Sequence, residues 1–294
     1  MGYHSVFRKD LFKDQTIIVT GGGSGIGRCT AHELASLGSH VVILGRKQDK
    51  LDRVAGEIQE DGGSVETHSC DIRDETKVAE TVAKIVKNRG QIHGLVNNAG
   101  GQYPSPIAAI NQKGFETVVR TNLVGGFLMA REVFTQSMSS HGGSIVNITA
   151  DHIRGMPGMA HSGAARAGME NFTLTSSFEW ATFGVRVNAV APGWIASSGM
   201  DTYDGPIKTL IPKLKDAVPL KRMGTESEVS GAICFLLSEA ASFITGTTVR
   251  IDGAAPLGNS ALWPLQSDAQ NGNTFNGFHR AVTPEILKNG QAES

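Results

Sequence analysis

The β-branched run Thr16-Ile-Ile-Val-Thr20 passes without a spacer into Gly21-Gly-Gly-Ser-Gly-Ile-Gly27, and a helical pattern follows from Arg28 to Leu37. This strand, glycine loop and helix constrain the fold more than any other feature of the chain. A glycine loop at a helix start lets a diphosphate approach the backbone, and the helix N-terminus offers it unpaired N–H groups. The spacing gives each glycine a separate role. Gly21 allows the tight turn, Gly25 the close approach of the phosphates, and Gly27 the packing of helix on strand. Strand patterns recur at 40–44, 65–70, 94–98, 143–148, 186–190 and 247–251. Helical patterns fill the gaps at 48–61, 75–88, 115–139, 163–183 and 227–237. Apolar strands separated by helices of ten or more residues predict a parallel sheet covered on both faces. The expected fold is therefore α/β, a doubly wound parallel sheet of seven strands.

Composition narrows the function classes. The chain has 27 basic and 28 acidic residues, so it lacks the basic excess of a nucleic-acid binder. Charged residues are 19% and hydrophobic residues 40%, too few charges and too many aliphatics for a disordered chain. No run reaches the roughly 18 apolar residues that a membrane helix needs. Cys29, Cys70 and Cys234 are widely spaced and form no CxxC, so neither a zinc site nor a disulfide frame is expected. No charged-then-apolar leader opens the chain, Val6 breaks the myristoylation pattern, and Gln291-Ala-Glu-Ser294 is not a peroxisomal address. A cytoplasmic protein is expected. Residues 1–253 read as one domain and 254–294 as a C-terminal extension, either packed or partly disordered. That extension contains the turn-forming string Asn271-Gly-Asn-Thr-Phe-Asn-Gly277 and a short helix over 282–289.

Further motifs join the glycine loop. Asn97-Asn-Ala-Gly100 ends the fourth strand, Asp71 follows the third, Asn122 lies in a helical Thr-Asn-Leu-Val-Gly, and Pro192-Gly193 follows the sixth strand. With the TGxxxGxG spacing these resemble the short-chain dehydrogenase/reductase family over roughly residues 12–253. The resemblance implies a Rossmann-like sheet and a nicotinamide dinucleotide. It places Gly21, Ser24, Gly25, Ile26 and Gly27 at the diphosphate and Asp71 and Ile72 at the adenine. It also assigns to the cofactor Asn98, Ala99, Gly100, Pro192, Gly193, Ile195 and Ser197, with the Pro-Gly turn beside the nicotinamide amide. The second strand ends Leu44-Gly45-Arg46-Lys47, where NAD enzymes of this architecture usually carry a carboxylate. A guanidinium at Arg46 pairs with a 2′-phosphate in a fork, so NADPH is the expected cofactor.

The catalytic helix departs from the family. Members usually carry Tyr-x-x-x-Lys there, and here the segment reads Ala160-His-Ser-Gly-Ala-Ala-Arg-Ala-Gly168. Ser162 falls at the tyrosine and Arg166 at the lysine. The family's preceding serine falls at Thr149 or Ala150. Of the usual tetrad only Asn122 is unchanged. A serine hydroxyl is far less acidic than a phenol, and an arginine stays protonated and relays no proton. Ketone reduction thus lacks its usual acid. Reduction of an activated C=C bond needs a different device, a hydrogen bond to an enolate oxygen, which Ser162 and backbone amides can supply. The segment 161–168 resembles the peroxisomal-type trans-2-enoyl-CoA reductases, and the serine resembles the 2,4-dienoyl-CoA reductases. Gly100-Gly-Gln102, 240–246 and the extension also look like the former group.

The resemblance implies reduction of an enoyl thioester, with an acyl-CoA as substrate and a homotetramer or homodimer built on helices 115–139 and 163–183. Two alternatives stand beside it: a terpenoid alcohol or aldehyde dehydrogenase of the citronellol/citronellal type, and a non-catalytic NADP(H)-binding protein. The expected catalytic set is Asn122, Ser162, Arg166 and His161, the last either a site-facing donor or a packed histidine. Tyr103 is a loop aromatic lining the pocket or a phenol for the substrate, and Asp151 and His152 are candidate proton shuttles at the carboxyl end of the fifth strand. Residues 194–220 form the substrate loop and lid. Their Lys208, Lys213 and Lys215 are either coenzyme A contacts or solvated lysines.

Overall fold

The computed structural model describes residues 2–203, 205, 207–258 and 273–288. Seven strands form one parallel sheet in the order β3-β2-β1-β4-β5-β6-β7. They are β1 (Thr16–Thr20), β2 (His40–Gly45), β3 (Ser64–Ser69), β4 (Gly94–Asn97), β5 (Gly143–Ile148), β6 (Val185–Pro192) and β7 (Thr248–Ile251). The principal helices are α1 (Gly25–Ser36), α2 (Gln48–Glu60), α3 (Glu75–Arg89), α4 (Gln112–Val119), α5 (Gly125–Val133), α6 (Ser139–His141), α7 (Ala160–Trp180), α8 (Ile207–Leu210), α9 (Glu226–Leu237) and α10 (Glu285–Lys288).

Alternation along each strand builds two cores. Ile17 and Val19 of β1 face α1, α2 and α9, where Leu34, Val54 and Ile233 are wholly buried. Ile18 faces the opposite layer with Val82 of α3 and Met129 of α5. The strand order reverses between β1 and β4, and the crevice at the carboxyl ends of such a pair is where doubly wound sheets bind ligands.

Several elements differ from the sequence pattern in extent. The first helix begins at Gly25 rather than Arg28, because glycines that score poorly for helix form its first turn. The catalytic helix begins at Ala160 rather than Gly163. The sixth strand runs on to Pro192, which pairs with Ile251. The long helical region starts at Gln112, where the Asn111 side chain accepts the Gly114 N–H. It is interrupted by two π-helical turns, at 120–124 and 134–138. The lid region holds short turns, a 3₁₀ helix at 198–202, α8, and a second 3₁₀ helix at 211–217.

Residues 271–272 and 289 of the expected turn string and terminal helix lie outside the described residues, and the helix spans only Glu285–Lys288. The described part of the extension is packed. Phe278 is buried between α1 and α9, its N–H donating to Ser227 Oγ at 3.2 Å. Arg280 pairs with Glu60 and Asp61 at the end of α2. The N-terminal segment meets it, with Tyr3 stacked on Phe278. Among the described residues no helix is long and apolar enough to cross a membrane, and no cluster of His, Cys, Asp and Glu is arranged to hold a metal ion.

Candidate active site

The phosphate loop has room where a ligand would lie and none where the chain crosses itself. Gly21 and Gly25 have φ of 68° and 57°, which a side chain would strain. A Cβ on Gly27 would lie 2.5 Å from Gly21 O, so helix and strand meet only through glycine. A Cβ on Gly25 would meet only Glu226 Oε1, at 3.9 Å. Ser24 caps α1 from an extended backbone, its exposed side chain making no capping hydrogen bond. Ile26 is half-buried against the core behind this loop. Room above the glycines, a free cap and open N–H groups at a helix start suit a diphosphate. Glu226, not foreseen from sequence, faces this glycine turn, and burial pushes its carboxyl up to about 7.

The side chain of Asn98 holds the loop's floor, donating to Thr20 O at 2.8 Å, while the backbone N–H groups of Asn98 and Ala99 donate to Thr20 Oγ1. On the adenosine side Arg46 is exposed at the end of β2. Asp71 accepts both Nε and Nη2 of Arg73, which holds its carboxyl below the usual range. Ile72 is buried against Gly125. At the opposite end Gly193 N–H donates to Ile251 O, and a Cβ there would lie 2.8 Å from Asp252 Cα. Ile195 is buried, bridging to Gly224, and Ser197 precedes the first 3₁₀ turn of the lid.

Between these ends lie Asn122, Ser162 and Arg166. A buried amide chain positions their helices: Asn97 Nδ2 donates to Asn147 Oδ1, and Asn147 Nδ2 to Thr173 Oγ1 of α7. Asn122 sits in the first π-helical turn, a distortion that re-aims a side chain. It grips Gly101 from both sides, accepting its N–H at 2.8 Å and donating to its carbonyl at 3.0 Å. Arg166 donates from Nη1 to Ile148 O at 2.5 Å, and its Nε is buried with no partner among the described residues. Burial pushes its guanidinium down to about 10, still charged at neutral pH. A Cβ on Gly100 would lie 2.6 Å from Arg166 Nη2, so a glycine keeps that group open to the crevice. Such an orphaned donor beside a glycine cradle fits a polar cofactor group such as a ribose hydroxyl.

Ser162 is fully buried and donates its hydroxyl to Gln102 Oε1 at 2.6 Å. Gln102 Nε2 in turn donates to the Tyr203 hydroxyl at 3.1 Å. Neither contact was visible in the sequence, since 60 and 101 positions separate the partners. His161 is also fully buried. Its Nδ1 accepts the Ser162 N–H at 2.8 Å, so the proton is on Nε2, which has no partner. Tyr103 stands edge-on to the His161 ring at 4.5 Å, with its hydroxyl turned towards Gly114 on α4.

The remaining candidates make other contacts. Thr149 donates its hydroxyl to Val190 O at 3.1 Å inside the sheet, and Ala150 has none to give. Neither residue therefore presents the hydroxyl of the family's serine. His152 Nε2 lies 2.6 Å from Glu170 Oε2, and Asp151 Oδ1 lies 3.7 Å from Arg250 Nη2. These residues line a separate cavity of about 100 Å³ with Ala150 and Thr248. Burial pushes the Asp151 carboxyl up. Lys213 and Lys215 lie exposed on the lid's second 3₁₀ helix, and Lys208 is exposed on α8.

Comparisons with known proteins bear on this arrangement. A family model described as enoyl-(acyl carrier protein) reductase matches residues 21–254. A peroxisomal 2,4-dienoyl-CoA reductase of Danio rerio is 34% identical over 257 residues, 86% of this chain and 85% of its own. A glucose 1-dehydrogenase of Gluconobacter oxydans is 36% identical over 253 residues, 85% of this chain and 94% of its own. The solved structure of a citronellol catabolism dehydrogenase from Pseudomonas aeruginosa is 65% identical, with a TM-score of 0.79. The match covers 87% of this chain and all of that one.

Proposed function

This chain belongs to the short-chain dehydrogenase/reductase family of oxidoreductases, and from that premise we propose that it reduces the C=C bond of an α,β-unsaturated acyl thioester with NADPH. One observation carries the reading. The position of the family's phenol holds the buried hydroxyl of Ser162, a turn away from a charged arginine that moves no proton. Such a pair is poor at protonating a ketone and suited to hydrogen-bonding an oxygen that gains charge.

When bound, NADPH would supply a hydride for the β-carbon. The chain's own residues do the rest. The open Nε and Nη2 of Arg166 would orient the nicotinamide ribose, and Arg46 would read the 2′-phosphate. Ser162 steadies the thioester oxygen as the α,β-electrons move onto it. Water then protonates the α-carbon. The exposed lysines of the lid suit the phosphates of a coenzyme A. Leu174 and Phe178, one turn apart on α7 and 51% and 86% exposed, suit a homodimer or homotetramer together with Phe115 of α4 and Phe127 of α5.

A second reading, oxidation of a terpenoid alcohol of the citronellol type, is favoured by the 65% identical relative. It needs an acid and base at residue 162, and among the described residues no phenol is hydrogen-bonded to Ser162 or Arg166 directly. The non-catalytic alternative draws no support from relatives that carry enzyme names. The test is NADPH oxidation with crotonyl-CoA and longer enoyl-CoAs, against NADP reduction with citronellol.

A further inference from the structure

Resting on that reading of the site, we propose that Gln102 and Tyr203 set the direction of the Ser162 hydroxyl, and that Ser162 serves the substrate oxygen only when the Gln102 amide donates to it. Ser162 has one proton to give. In the structure it goes to Gln102 Oε1, and Gln102 Nε2 donates onward to the Tyr203 hydroxyl. The Ser162 proton is then spent. His161 does not relieve this, because its Nδ1 already accepts the Ser162 backbone N–H.

A half-turn of the Gln102 amide exchanges its oxygen and nitrogen. Nε2 then donates to Ser162 Oγ, and Oε1 accepts the Tyr203 O–H. Two hydrogen bonds exist before and two after. The difference is that the Ser162 proton is now free to point at a substrate oxygen. Every member of the chain suits this reversal, since a hydroxyl, a carboxamide and a phenol each donate and accept. Negative charge growing on a thioester oxygen favours the polarity that turns a proton towards it.

The backbone around Gln102 is held for this exchange. Asn122 clamps the neighbouring Gly101 by its N–H and its carbonyl, so the side chain at 102 is held over Ser162. Tyr203 directly follows the 3₁₀ turn at 198–202. The chain is complete only with that lid segment over the site. Gln102 and Tyr203 are thus positioning residues that act through Ser162.

Three variants test this. Gln102 is exposed at the surface, and its replacement spares the core. Gln102→Leu removes the amide that turns the Ser162 proton towards the substrate oxygen, and kcat in enoyl-thioester reduction is expected to fall about 10-fold, the loss of one orienting hydrogen bond. NADPH affinity should be unchanged, which also reports folding. Combined with Ser162→Ala, it should lower kcat no more than about twofold beyond Ser162→Ala alone. Gln102→Glu is the sharper probe. Its ionised carboxylate only accepts and so captures the Ser162 proton. Its protonated form donates, so kcat relative to the unmutated enzyme should recover as pH falls. Tyr203→Phe should lower kcat with little change in KM.

A Gln102→Leu rate within twofold of the unmutated rate would overturn the proposal. So would a pH-independent ratio for Gln102→Glu, or full additivity with Ser162→Ala. The substrate assignment fails separately, by absence of enoyl-thioester turnover in the unmutated enzyme. In that case the same variant ratios are expected, and measured, in citronellal reduction.

Discussion

Ser162 and Arg166 stand a single helical turn apart on α7, yet their surroundings give them different roles. Ser162 touches a side chain of the loop after β4, whereas Arg166 is anchored on Ile148 O with its Nε unpaired. Ser162→Ala is expected to lower enoyl-thioester turnover by about 2.7–4 kcal/mol, a hundred- to thousand-fold, with NADPH binding unchanged. Arg166→Ala is expected to weaken NADPH binding and turnover together, as steady-state and calorimetric measurements on the pair would show. At the far end of the cofactor, Arg46 should favour NADPH over NADH by about 1.5–3 kcal/mol, the range for hydrogen bonds to charged groups. Arg46→Asp should erase or reverse that preference, and equal affinities in the unmutated protein would contradict it. Ser162 and Arg166 were read in the sequence through the resemblance of 160–168 to the family's Tyr-x-x-x-Lys helix. The Gln102 contact was not, because a loop and a helix 60 residues apart meet only through the sheet. The fate of Thr149 was equally hidden, since one residue at the end of a strand decides whether a hydroxyl enters the sheet or the crevice.

The elements were readable wherever composition and period agree. The seven strands lie within two residues of the strand patterns read in the sequence, even the half-polar Ser64–Ser69, and the helices between them follow. Misreadings of extent fall at element ends, where glycines, caps and prolines break the period. The first turn of α1 carries two glycines, whose helix propensity is poor, so the sequence pattern begins only after it. Gly25→Val should abolish nucleotide binding, at some cost in stability from the φ of 57°, and retained affinity on a folded variant would show the site to be elsewhere. The π-helical turn around Asn122 leaves no trace in periodicity, since it adds one residue to one turn. Glu226 at the start of α9 supplies the pH dependence. Its carboxyl is raised from 4.5 to about 7, so the folded state holds a proton that the unfolded state releases in that window. Stability contributed by this proton is full below about 4.5 and is lost as pH rises through 7, by on the order of 3 kcal/mol at most. Glu226→Gln should flatten that decline in urea titrations at about pH 5 and pH 8. It should also relieve the repulsion of a diphosphate at the higher pH.

For the whole molecule, a single parallel sheet with two covered faces carries the glycine loop before α1, the start of α7 and the segment 194–220 at the carboxyl ends of its strands. The terminal segments act at a distance from this edge. Tyr3 and Ser5 donate to the buried Glu33 carboxyl, Ser230 of α9 joins them, and Phe278 closes over Tyr3. This clasp binds α1 to α9, the two helices whose first turns meet at the phosphate loop. It was not legible in the sequence, because Glu33 resembles any surface helix carboxylate until its partners, about 30 and 200 residues away, are seen. What the crevice acts on depends on the hydroxyl at residue 162 in place of a phenol. The most direct measurement is the pair of steady-state rates of the unmutated protein with NADPH and crotonyl-CoA or a longer enoyl-CoA, and with NADP and citronellol. Rapid reduction of the enoyl thioester with poor alcohol oxidation is the predicted result. Robust citronellol oxidation without enoyl-CoA turnover at any chain length would contradict it.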